Sequence, residues 1–130
     1  MSAALLDTSV VIAANGAPKI DLPEEAAISV ITLGELRAGV ALAGSVEIRT
    51  ARQARLKAVR EAFEPLAVDE QVADQFGELL AAARFGGRSE KASDLLIAAT
   101  AATTGRTLYT LDARQASFAR EAGLAVVAPA

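Results

Sequence analysis

What most constrains this chain is a succession of short apolar runs, each separated from the next by residues with helical spacing. Ala3 to Leu6 stops at Asp7, Ala27 to Ile31 stops at Thr32, Leu66 to Val68 stops at Asp69, Thr107 to Leu111 stops at Asp112, and Leu124 to Val127 is the last. Runs this short read as strands buried on both faces rather than as buried helices. Between them the spacing predicts a short helix over Val10–Ala14, ended by Asn15-Gly16, and a helix from Thr32 to about Leu42, opened by a capping box of Thr32 and Glu35. Further helices are expected over Glu47–Glu64, stopped by Pro65, over Glu70–Arg84 with Asp69 as cap, over Ser93–Thr103 and over Ala113–Ala122. Asn15–Glu25, with two prolines, and Phe85–Lys91 read as loops. The order β-α-β-α-α-β-α-α-β-α-β predicts a three-layer α/β/α fold with a mostly parallel central sheet. At 130 residues, the chain is expected to form one domain, 1–130.

The same sequence is narrow in its chemistry. It holds no His, no Cys and no Trp. That excludes a Ser-His-Asp triad, imidazole acid/base catalysis, thiolate nucleophiles, zinc ribbons and disulfides. Catalysis is left to carboxylates, hydroxyls, Lys, Arg, backbone dipoles or a bound hard cation such as Mg²⁺ or Mn²⁺. With 52% apolar and 22% charged residues the chain reads as globular, and with 4% aromatics its core is expected to be thin, built from Leu, Ile, Val and Ala. No apolar segment approaches the ~18–20 residues of a membrane span, and the first residues lack the basic start of a signal peptide, so a cytoplasmic protein is expected.

Placement makes four of the acids informative. Asp7 and Asp112 follow strands, while Glu35 and Asp94 fall in the first turns of helices. In a parallel sheet the C-terminal strand ends and the helix N-termini that follow share one edge, where ligands bind. Each acid alone is accounted for by helix capping. Four together repel one another, a conflict that a divalent cation removes. Such an ion also acidifies a bound water and stabilises charge on a phosphodiester, with no His required.

The segments Leu5-Leu6-Asp7-Thr8-Ser9-Val10, Ile31-Thr32-Leu33-Gly34-Glu35-Leu36-Arg37-Ala38-Gly39, Ala92-Ser93-Asp94-Leu95-Leu96-Ile97-Ala98-Ala99-Thr100-Ala101 and Leu108-Tyr109-Thr110-Leu111-Asp112 occur in that order. Together they resemble the PIN-domain family, and more closely the VapC-type toxins of bacterial type II toxin–antitoxin pairs. The resemblance implies a PIN-like fold and a Mg²⁺-dependent endoribonuclease, with Mn²⁺ also supporting activity. It makes Asp7, Glu35, Asp94 and Asp112 the catalytic and metal-holding acids, with Ser9 and Thr110 as supporting hydroxyls. It further implies a structured RNA substrate such as tRNA or rRNA, a cognate VapB-type antitoxin covering the cleft, and a homodimer. Many relatives carry a further acid or Asn shortly after the fourth acid; Asp112-Ala113-Arg114-Gln115-Ala116-Ser117-Phe118 has neither, which bears on a second metal.

A net charge of −3 leaves phosphate binding to local clusters of bases. Arg37, Arg84, Arg88, Lys91 and Arg114 neighbour the acids in sequence and are the expected phosphate contacts. The bases from Arg49 to Arg60 form a second candidate patch for phosphate, though they read slightly better as a solvated helix face. Phe63, Phe76, Phe85, Phe118 and Tyr109 read mostly as core. Val10–Ala14 and the Ala-rich Leu36–Ala43 are expected at a dimer or antitoxin contact. Other readings are a PIN nuclease of RNA processing that is not a toxin, and a non-catalytic PIN-like or receiver-type binding module. A receiver needs an acidic pair after its first strand, whereas Asp7 is followed by Thr8.

Overall fold

Strand β1 (Ala4–Leu6) lies at the centre of the sheet in the computed structural model, which describes residues 3–13 and 24–128. It pairs in parallel with β2 (Ala26–Ser29) on one side and β4 (Thr107–Tyr109) on the other, with Leu5 opposite both Ala27 and Leu108. Strand β3 (Pro65–Leu66) extends the sheet beyond β2, and β5 (Val126–Val127) extends it beyond β4, both parallel. The order β3-β2-β1-β4-β5 runs outward from β1 to one edge before the chain returns to build the other side. Beside β1 the winding reverses, which opens a crevice at the carboxyl ends of the strands.

Alternation along the strands separates two apolar layers. Ala4, Leu6 and Ile28 pack with Val10 and Val11 of α1 (Thr8–Ala13), Leu36 and Val40 of α2 (Val30–Ala41), and Leu56 and Val59 of α3 (Val46–Ala62). Leu5, Ala27 and Leu108 face the other way, onto Ile97 and Ala101 of α5 (Ala92–Thr104) and Ala119 of α6 (Ala113–Glu121). Helix α4 (Glu70–Phe85) packs through Val72, Leu79 and Ala83 on Leu95, Ala98 and Ala99 of α5. Helix α5 is buried around most of its girth, and its alanines admit both the sheet and α4 at close range. The expected three-layer α/β fold with a parallel sheet is the one observed.

Several element ends differ from expectation, each for a local reason. Helix α1 starts at Thr8 instead of Val10, because the Asp7 carboxylate accepts the Ser9 N–H at 3.1 Å and caps it. Helix α2 starts at Val30, capped by Ser29, whose Oγ accepts the Ile31 N–H at 3.0 Å. The apolar run Ala27–Ile31 is therefore part strand and part helix, and no Thr32–Glu35 capping box forms. Thr32 is instead fully buried, 3.0 Å from the Thr8 hydroxyl. Strand β4 ends at Tyr109 and β3 at Leu66, short of Leu111 and Val68. Asp69 caps α4 as expected, accepting the Val72 N–H at 2.9 Å. Phe85, expected in the core, is 93% exposed. The helix end at Asn15-Gly16 and the proline loop as far as Pro23 lie outside the described residues.

Candidate functional site

Asp7 follows β1 in the crevice and is buried. Its Oδ2 accepts from the Ser9 N–H at 3.1 Å, the Ser9 hydroxyl at 2.5 Å and the Thr110 hydroxyl at 3.2 Å. Ser9 Oγ in turn accepts the Leu111 N–H, and Thr110 Oγ1 the Asp112 N–H, both at 3.0 Å. The segment after β4 is thereby tied to the segment after β1, two stretches about a hundred residues apart in sequence. Asp7, Ser9 and Thr110 form one hydrogen-bonded unit.

Sequence reasoning overlooked a fourth member of that unit. Gln115, in the first turn of α6, is 2% exposed. With its carboxamide nitrogen turned inward it donates to Asp7 Oδ1 at 3.0 Å, to Asp7 Oδ2 at 3.2 Å and to Thr110 Oγ1 at 3.2 Å. Gln115 thus occupies, as a neutral donor, the stretch in which a further acid was sought. The only signal in the sequence was a polar residue at the inward position of an amphipathic helix, three beyond the cap. Thr110 is the joint of this network, and Thr110→Val keeps its shape while leaving Asp7, Gln115 and the Asp112 N–H short of a partner. We expect a loss of about 1–3 kcal/mol in unfolding free energy, read from the urea midpoint; an unchanged midpoint would show the joint to be dispensable.

The other three acids reach the same edge from separate helices. Glu35 sits in the second turn of α2, with Oε1 accepting the Thr8 hydroxyl at 2.6 Å. Asp112 is exposed and caps α6, its Oδ1 accepting from Arg114 N at 3.0 Å and Gln115 N at 3.2 Å. Asp94 lies in the first turn of α5, where Lys91 is the cap residue and provides no side-chain bond, so Asp94 has no capping duty. Its carboxyl is pushed up from 3.8 to about 6, first by burial and then by the charges of Asp7, Asp112 and Glu35, with Lys91 opposing. Four carboxylates drawn from across the chain therefore share one electrostatic site. Among the described residues no three of them are gathered tightly enough to enclose an ion as they are oriented.

The bases are distributed less simply. Arg88 pairs with Glu90 at 3.2 Å and with Glu121, and lies 5.2 Å from the centre of the Phe118 ring. Arg114 reaches Glu90 at 3.4 Å and donates to the Ser89 carbonyl at 2.6 Å. Both are held in a surface network that pins the loop before α5. Arg84 and Lys91 are exposed. Arg37, two residues beyond Glu35, points to the opposite flank of α2, since positions i and i+2 of a helix do not share a face. There it lines a cavity of about 400 Å³ with Lys57 and Arg60.

The profile of the PIN domain matches residues 4–121. Ribonuclease VapC5 of Mycobacterium tuberculosis is 38% identical over 114 residues, covering 85% of this chain and 84% of that protein. Ribonuclease VapC8 of the same species is 45% identical over 100 residues, covering 75% of this chain and 88% of that protein. Among solved structures, that of VapBC-5, a member of the VapBC family of toxin–antitoxin systems from M. tuberculosis, superposes with a TM-score of 0.80 at 35% identity, over 98% of both chains.

Proposed function

The chain belongs to the PIN-domain family, and on that footing we propose that it is the toxin of a toxin–antitoxin pair: a Mg²⁺- or Mn²⁺-dependent endoribonuclease that hydrolyses RNA phosphodiester bonds, stops translation and growth, and is neutralised by a cognate VapB-type antitoxin. One observation carries the reading: the Asp94 carboxyl is driven up to about 6 in company with Asp7, Asp112 and Glu35. Such crowding of acids is unfavourable unless positive charge is brought in. The similarity to ribonucleases VapC5 and VapC8 supports RNA as substrate, and the superposition on a VapBC complex supports an antitoxin partner.

The donor set fits a hard divalent cation, since every ligand on offer is a carboxylate oxygen. Asp7 and Asp94 would hold it, with Glu35 and the Oδ2 of Asp112, which accepts no hydrogen bond among the described residues, completing its surroundings after side-chain rotation. When bound, the ion supplies the positive charge that acidifies a water and offsets charge on the phosphodiester oxygens. The chain's own residues prepare that site. Ser9, Thr110 and Gln115 fix Asp7 in one orientation by donating to its carboxylate oxygens. Thr8 holds Glu35 at the rim, where its carboxylate can accept a proton from an attacking water. Asp94 stands opposite on α5, without structural duties of its own.

We read residues 1–130 as one PIN domain acting in the cytoplasm; among the described residues no helix is long and apolar enough to cross a membrane. Leu42 and Val46, 80% and 74% exposed at the α2–α3 turn, are apolar surface that a second copy or the antitoxin would cover, in keeping with a homodimer. The decisive experiment maps new 5′ ends in total RNA after a brief pulse of expression, beside an Asp94→Asn control. Discrete ends dependent on Asp94 support the reading, and identical RNA in both cultures refutes it. Gln115→Leu should fold and cleave 10- to 100-fold more slowly, about the usual effect of losing a residue that orients a metal ligand. A rate equal to wild type would remove Gln115 from the machinery.

A further inference from the structure

Helix α3 carries Arg49, Arg52, Arg55, Lys57 and Arg60, and the structure sorts them. Arg49, Lys57 and Arg60 are exposed, whereas Arg52 and Arg55 are partly buried and turn toward α2. There they line a pocket of about 360 Å³ with Ile12, Leu36, Gly39 and Glu35. Arg52 Nη1 donates to the Gly39 carbonyl at 2.7 Å, which fixes the guanidinium and leaves most of its five donors without a partner among the described residues. Arg55 Nε is buried and has no hydrogen-bond partner among the described residues. Glu35 does not neutralise either one: its Oε1 accepts from Thr8, and the ion pairs among the described residues join only Arg88 and Arg114 to Glu90 and Glu121. Among the described residues, two guanidinium charges thus outweigh one carboxylate in a pocket that shares Glu35 with the acid cluster.

We propose that Arg52 and Arg55 form a phosphate subsite that grips the RNA backbone on the α3 side of the scissile bond. A guanidinium fork matches two phosphate oxygens, and a phosphate is the one anionic group that an RNA strand crossing the acid cluster must present next to it. The pocket's shared wall with Glu35 sets the direction of the strand, from the acids toward the α2–α3 seam. Ile12 and Leu36 provide an apolar wall against which a ribose packs. This inference rests on the ribonuclease reading.

The test uses the full chain with Mg²⁺ and an RNA oligonucleotide spanning the mapped cleavage site. Arg52→Gln and Arg55→Gln should each raise KM about five- to twentyfold with little change in kcat, and should reduce the salt slope of binding by about 1. Arg55→Lys keeps the charge without the fork, so it should keep the salt slope and still raise KM. Should Arg52→Gln melt early through loss of its Gly39 bond, the Arg55→Lys and Arg55→Gln pair carries the test. Wild-type KM and salt slope in the Arg55 variants would overturn the subsite while leaving the ribonuclease reading intact, whereas a wild-type protein that cuts no RNA would overturn that reading itself. Loss of antitoxin binding with unchanged KM for RNA would give the pocket to the partner protein and overturn the assignment.

Discussion

Asp94→Asn should abolish RNA cleavage, by on the order of 10³-fold or more, and with it the inhibition of growth, while leaving a protein at least as stable as wild type in the absence of metal. Loss of a catalytic acid is usually hard to separate from loss of a structural one. Here the separation is built in. Asp94 caps nothing, because α5 begins at Lys91 without a side-chain bond, and its carboxyl makes no hydrogen bond among the described residues. Asn has the same size and removes one of four mutually repelling charges from a half-buried position. Desolvation and repulsion by Asp7, Asp112 and Glu35 disfavour the ionised form, so removing the charge costs the fold nothing. A variant that melts no earlier than wild type but cuts no RNA places Asp94 in the chemistry. A variant that cuts at the wild-type rate with metal present removes it.

Asp112 and Asp7 do not allow so clean a test, and the contrast shows what was legible in the sequence. Both are helix caps as well as members of the acid cluster, so the capping reading holds for them without displacing the role in the cluster that we propose. Asp7→Ala would lose the bonds from Ser9 and Thr110 along with the acid. The parallel sheet and its shared edge were predictable because short apolar runs read as strands buried on both faces, and because parallel connections admit few topologies. The limits of β2 and α2 were not. Ile28 to Ile31 is apolar and β-branched throughout apart from Ser29, and only Ser29's capping bond decides where the strand gives way to helix. Gln115 was missed for a related reason. Its function depends on a hydrogen bond across the sheet edge to a residue more than a hundred positions away, which no local pattern encodes. The arginines of α3 stood undivided between a phosphate patch and a solvated face because charge spacing alone cannot tell that Arg52 and Arg55 turn toward Gly39 and Glu35.

Chelation should be as destructive as Asp94→Asn, and its pH dependence should identify the group responsible. Excess EDTA is expected to stop cleavage, and Mg²⁺ or Mn²⁺ to restore it. Stability gives a readout independent of activity. In the folded, metal-free protein the Asp94 carboxyl titrates at about 6, above its ordinary value of 3.8. The folded state therefore holds this proton more tightly than the unfolded chain, and the stability it contributes is fully present below about 3.8 and is lost as pH rises through about 6. The melting temperature of metal-free wild type should fall over that window relative to Asp94→Asn and run parallel to it at higher pH. An ion that binds the ionised carboxylate must compete with that proton, so Mg²⁺ should raise the melting temperature strongly above pH 7 and little at pH 5. The Asp94→Asn variant should show little shift at either. Undiminished cleavage in excess EDTA would sink the metal-dependent mechanism. An equal Mg²⁺ shift at both pH values would move the ion away from Asp94, because no site built on that carboxylate can ignore its protonation.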